Sequence, residues 1–109
     1  MIPADVYKEF VRTGSDWADK HAAAEVLEGA LKTLKAQLTL DAKAEHQCSM
    51  SEATEWALVS DRYVSALNAA ADARREANRA RVRYDATKAL FEAQRTAEAS
   101  ERAAMRAAT

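Results

Sequence analysis

Five arginines fall within ten residues, Arg74-Arg75-Glu76-Ala77-Asn78-Arg79-Ala80-Arg81-Val82-Arg83, and Lys88 and Arg95 follow them. Placed on a helix, Arg75, Arg79 and Arg83 stack at i, i+4 and i+8, while Arg74, Arg81, Lys88 and Arg95 form a second row spaced by seven. Two adjacent basic rows with Asn78 between them can follow a phosphate backbone and bind it in a salt-sensitive way. The same side chains can instead flank a helix–helix seam, cover it with their methylene stems and pair with Glu25, Glu28 and their neighbours. An isoelectric point near 6.1 and the lack of an aromatic residue inside the cluster favour the second role.

No other group of residues has the spacing of a catalytic or metal site. His21 and His46 lie 25 positions apart and His46 is two residues from Cys48, whereas zinc needs four convergent ligands, or three and a water. Ser, Asp and His occur without a strand–turn–helix context or a Gly-rich oxyanion loop. Asp16, Asp19, Glu25 and Glu28 could ligate a metal only with a matching second helix, and the inward Glu-x-x-His motif of bundle metal sites is absent. The expectation is therefore no catalytic residue, no metal, no cofactor and no enzymatic activity. Trp17 and Trp56 are the remaining candidates: Trp17 as a core residue, Trp56 either as a cap on the end of the fold or as an exposed anchor for a partner.

The elements that must position these residues are helices. The chain has 109 residues with 2 Gly, 1 Pro and 27 Ala, too little turn material for a sandwich, a barrel or a doubly wound sheet. Ala with Glu, Lys, Arg and Leu is the composition of long helices. Ala adds little buried area, so a narrow seam is expected rather than a broad core, and at 12.0 kDa such a seam is marginal without self-association.

Heptad spacing locates the seam. Phe10, Trp17, Ala24, Leu31 and Leu38 are spaced by seven, with Leu27 and Leu34 at intermediate positions, which predicts a first arm over about 4–45. Gly14-Ser15-Asp16 is either a stop and restart or a weak point in one continuous helix. Residues 46–59 lose the period. Ser49 with Glu52 fits a capping box, so this connection is expected to hold a short helix through Trp56. From 60 to about 106 nothing interrupts a second arm, whose seam runs through Tyr63, Ala66, Ala70, Ala73, Ala77, Ala80, Tyr84, Thr87 and Phe91 to Glu98, Glu101 and Met105. The predicted fold is all-α: a long, coiled-coil-like antiparallel hairpin forming a single helical domain, large residues on one arm against Ala on the other. Folding about 46–60 would set Leu38 near Ala70, Leu31 near Ala77 and Trp17 near Phe91.

Residues 1–61 carry 6 basic and 11 acidic side chains, and residues 62–109 carry 10 and 6. The two arms read as oppositely charged. No run of 18 apolar residues exists, and Asp5, Lys8 and Glu9 occupy the place of a signal-peptide apolar stretch. One cysteine cannot form an internal disulfide. A cytoplasmic protein without a membrane partner is expected.

The stretches Ala80-Arg81-Val82-Arg83-Tyr84-Asp85-Ala86, Phe91-Glu92-Ala93-Gln94-Arg95-Thr96 and Ala99-Ser100-Glu101-Arg102-Ala103-Ala104-Met105-Arg106 resemble the C-terminal portion of a family of small uncharacterised helical proteins encoded by tailed bacteriophages and prophages. The resemblance covers about half of the chain, and the chain departs from it at Gln94, where Trp is common. Such genes often neighbour recombination or replication functions. The resemblance implies a bacterial host cell and a role in handling phage DNA or disabling a host defence, and it supplies no catalytic residues. The expected function is a non-enzymatic accessory protein, a homodimer that binds another protein. The alternative is a DNA-binding accessory of recombination or replication using the Arg-rich second arm.

Overall fold

Uninterrupted helix formers build uninterrupted helices. The computed structural model describes residues 3–108 and contains, among them, α1 (Ala4–His46), α2 (Met50–Val59) and α3 (Asp61–Ala108), with no strand. The fold is all-α, a long antiparallel helical hairpin. Pro3 stands just before α1, where its carbonyl accepts from the Val6 and Tyr7 N–H groups and its missing N–H costs nothing. α1 passes through Gly14 without a break.

The reversal is short. Gln47, at φ 50°, takes the left-handed conformation common just past a helix end. Ser49 then caps α2, its hydroxyl accepting from the Glu52 N–H at 3.2 Å, as the capping pattern predicts. α2 does not lie across the end of the hairpin. Ala53 and Ala57 are fully buried, and Trp56 stacks on His46 of α1, so α2 is the first stretch of the returning arm. A single extended residue, Ser60, separates it from α3; its N–H reaches Ala57 O and its carbonyl takes the Val64 N–H.

That arrangement corrects the register. The returning arm starts about ten residues earlier than a fold about 46–60 assumes, and the pairing moves by about a heptad. Trp17 faces Tyr84 instead of Phe91, and Phe91 meets Phe10. Arg74, which the expected register sets beside Leu34, binds Glu28. It also weakens the charge contrast between the arms. With the acidic α2 in the returning arm, α1 holds 6 basic and 8 acidic side chains, and everything after it holds 10 and 9.

The chain divides into two compact units, Lys20–Ala77 and the pair of segments up to Asp19 and from Asn78. In the first, Ala24, Ala42, Ala53, Ala57, Ala70, Ala77 and Thr39 are buried, and Leu31, Leu34, Leu38 and Tyr63 are half-buried. In the second, Thr13 and Ala80 are buried among half-buried Phe10, Trp17, Tyr84 and Phe91. Thr13 satisfies its hydroxyl on Glu9 O and Phe10 O, and Thr39 on Lys35 O. Two seam assignments change. Leu27 is 39% exposed, at the edge of the seam, while its neighbour Glu28 ties to Arg74 along the flank. The second-arm seam ends at Glu98: Glu101 and Met105 are exposed, since α1 begins at Ala4 and sets no residue opposite them.

Candidate functional site

Helix phase decides what the arginines can do. Arg74 and Arg81 each sit four residues past a seam position, Ala70 and Ala77, and therefore lean over one flank of the seam. Arg74 grips Glu28 with two bonds, Nε–Oε2 at 3.1 Å and Nη2–Oε1 at 2.6 Å, and its Nη1 donates to His21 Nδ1 at 3.0 Å. His21 Nε2 lies 3.0 Å from Glu25 Oε1. His21 thus joins Arg74 on one side of its ring to Glu25 on the other. The bidentate bond to Arg74 holds the Glu28 carboxyl below the usual carboxylate range, and the same bond raises Arg74. The pair joins α1 and α3 through residues 46 positions apart in sequence.

In the other unit, Arg81 extends over Trp17, its Cζ 5.9 Å from the ring centroid, and lies 3.8 Å from Asp85. Arg95 stands 6.0 Å over Phe91. Arg83 leans over the opposite flank of the seam, with Nη2 3.5 Å from Asp16 Oδ2. Arg75, in the first unit, pairs with Asp72 at 3.0 Å. Arg79 and Lys88 are exposed. The two basic rows of the sequence therefore do not lie side by side: the row through Arg81 and Arg95 covers seam aromatics, and Arg83 is on the far flank. The flanking role of these side chains is the one the structure displays, with Glu28 and Asp16 as the first-arm partners.

An aromatic cluster fills the seam of that unit. Trp17 and Tyr84 stack at 5.4 Å and 19°, Phe10 lies 5.5 Å from Tyr84 and 4.8 Å from Phe91, and Tyr7 lies 6.3 Å from Phe91. Such ring pairs contribute about 0.5–1.5 kcal/mol each beyond their area burial. Tyr7 does not occur in the heptad row, and its distance of three residues from Phe10 was the signal available for it.

Near the reversal, Trp56 is 50% exposed and lies flat on His46, centroids 4.2 Å apart at 9°. An open groove of about 370 Å³ beside it is lined by Asp41, Glu45, Ala57 and Asp61 among others. The indole offers an apolar plate with carboxylates around it. Cys48 is half-buried, its Sγ 4.0 Å from Ala42 O. No cluster of three or more His, Cys, Asp and Glu that could hold a metal occurs among the described residues, and no helix among them is long and apolar enough to cross a membrane. No protein-family model, curated protein or solved structure matches the chain.

Proposed function

We propose that this chain is a non-enzymatic helical interaction protein, acting by binding another protein in the bacterial cytoplasm. One observation carries the reading: among the described residues no large side chain is fully buried, and Tyr7, Val26, Leu40, Met50, Trp56, Val64, Val82 and Leu90 are all exposed. A hairpin that buries only Ala and Thr completely and leaves these larger side chains open offers apolar surface for a neighbour to cover. Trp56 is the proposed anchor, because an exposed indole held flat by His46 offers a large contact at little entropic cost. The resemblance of residues 80–106 to phage-encoded proteins suggests a host defence factor or a nucleic-acid-processing enzyme as the partner.

The test is affinity capture from infected cells together with the molecular mass in solution. A specific partner whose retention falls at least tenfold with Trp56→Ala supports the reading. No partner, combined with a monomeric mass, overturns it. The reading as a DNA-binding accessory is weaker, since Arg74, Arg81, Arg83 and Arg95 already have carboxylate or aromatic neighbours within the chain.

A further inference from the structure

Two carboxylates of α1 are answered by arginines of α3: Asp16 meets Arg83 and Glu28 meets Arg74. Near the reversal this stops. Asp41 and Glu45 lie seven residues past Leu34 and Leu38 and are exposed, and among the described residues no base pairs with them or with Asp61. Four residues apart on α1, Asp41 and Glu45 repel each other. Residues 41–61 carry 5 acidic side chains and 1 basic. Asp41, Glu45 and Asp61 line the open groove of about 370 Å³ beside Trp56, whereas Lys43 and Arg62, their neighbours in sequence, do not.

Trp56 gives this groove its second kind of surface. His46 covers one face of the indole, yet the side chain is 50% exposed, so the other face and the edge are open. A ring face with a carboxylate beside it attracts a cation, and the chain uses that combination once within itself, where Arg81 stands over Trp17 with Asp85 3.8 Å away. The groove has the ring and the carboxylates without the arginine. Resting on the reading of this chain as an interaction protein, we infer that the groove receives an arginine side chain of the partner protein, its guanidinium lying on the open face of Trp56 and bonded to carboxylates of Asp41, Glu45 and Asp61. A guanidinium suits the site better than an ammonium: it is flat enough to stack on indole, and its fork of N–H donors serves two carboxylates at once. The floor, formed by Leu38, Ala42 and Ala57, takes the methylene stem. The same carboxylates repel a phosphate backbone, so this end of the hairpin selects a basic protein segment over nucleic acid.

Titration of the full-length chain, followed by the indole N–H resonance of Trp56 and assigned with Trp56→Phe, tests this with capped alanine tripeptides that differ only at the central residue: arginine, lysine or citrulline. The arginine peptide is expected to give a saturable shift, the lysine peptide a weaker one, and the citrulline peptide, which has the shape without the charge, none. Asp41→Asn with Glu45→Gln is expected to weaken arginine binding about tenfold or more, as the loss of charge-assisted bonds does. Glu52→Gln with Glu55→Gln, at exposed carboxylates of α2 outside the groove lining, is expected to change it by less than about twofold, because solvent and salt screen charges that make no contact. Helical circular dichroism checks that both double variants are folded. The absence of a saturable shift with the arginine peptide, an equal or stronger response to lysine or citrulline, or equal losses in the two double variants overturns the inference. So does a wild-type dimer that Asp41→Asn with Glu45→Gln dissociates, since the occupant is then a second copy of the chain. A chain that ignores the arginine peptide but still loses its captured partner with Trp56→Ala keeps the interaction reading and loses arginine as what the groove receives.

Discussion

A Cβ placed on Gly14 would lie 3.1 Å from Cε1 of Tyr84. The glycine is in an ordinary helical conformation, so its role is closeness: it lets the ring that stacks on Trp17 settle against the α1 backbone. Gly29 differs, with nothing within 4 Å of its would-be Cβ. Gly29→Ala is therefore expected to stabilise the fold by about 1 kcal/mol, the helix-propensity difference. Gly14→Ala gains the same propensity but displaces Tyr84 by a few tenths of an ångström, and Gly14→Val destabilises outright. Thermal melts of the three variants check the order, and equal gains from both alanines would show that Tyr84 does not press on Gly14.

The Arg74–Glu28 pair gives a pH signature. Glu28 is held below its ordinary value by the bond from Arg74, so its contribution is fully present above the ordinary glutamate value of about 4.3 and is lost as pH falls through the lowered one. Glu28→Gln should therefore be less stable than wild type at neutral pH, and the gap between their melting temperatures should close on acidification. A gap that stays constant down to pH 2 contradicts the pairing.

The two tryptophans are expected to separate in mutagenesis. Trp17→Ala removes a stacked ring and the surface under Arg81, and should cost about 2–3 kcal/mol, below the range for a fully buried aromatic because the side chain is half-exposed. Trp56→Ala should cost less than about 1 kcal/mol while removing partner binding. Chemical denaturation of both variants, read by circular dichroism, measures the contrast.

Ser49→Ala removes the hydroxyl that accepts from the Glu52 N–H. The expected loss is about 1 kcal/mol, visible in the same denaturation experiment. Ser49→Asp should retain the cap.

Arg75→Glu with Arg79→Glu addresses the nucleic-acid alternative. Both side chains are exposed and Arg75 pairs with Asp72 of its own helix, so the helices should persist. Binding to single- and double-stranded DNA at low salt is expected to be weak in the wild type and little changed in the double variant. A drop of a hundredfold or more would instead establish the Arg-rich arm as a DNA-contacting surface.

The heptad row made most of the fold legible. Phe10, Trp17, Ala24, Leu31 and Leu38 on α1, and Tyr63 to Phe91 on α3, occupy the seam, and Ser49 caps the short helix. What periodicity could not convey is which arm a ten-residue helix belongs to. α2 has its own apolar pair, Ala53 and Ala57, and capping residues at both ends; its docking on His46 is a tertiary choice with no local signature, and the register of every later pair depends on it. Leu27 shows the same limit at smaller scale: positions three and four past Ala24 both border the seam, and both stay partly open, Leu27 at 39% and Glu28 held by the charge-assisted bond from Arg74.

The short reversal at 47–49 also orders the search that folding must make. His46 and Trp56 are ten positions apart, and Glu28 and Arg74 are 46 apart. Each doubling of a closed loop costs only about 0.6 kcal/mol of chain entropy, so once the first stack has formed, each further rung closes a small increment instead of a new long loop. The hairpin can assemble as a zipper, beginning at Ser49 and reaching the ring cluster of Phe10, Tyr84 and Phe91 last. A kinetic consequence is that substitutions at Ala53 or Ala57 should slow refolding, whereas substitutions at Phe10 should chiefly hasten unfolding.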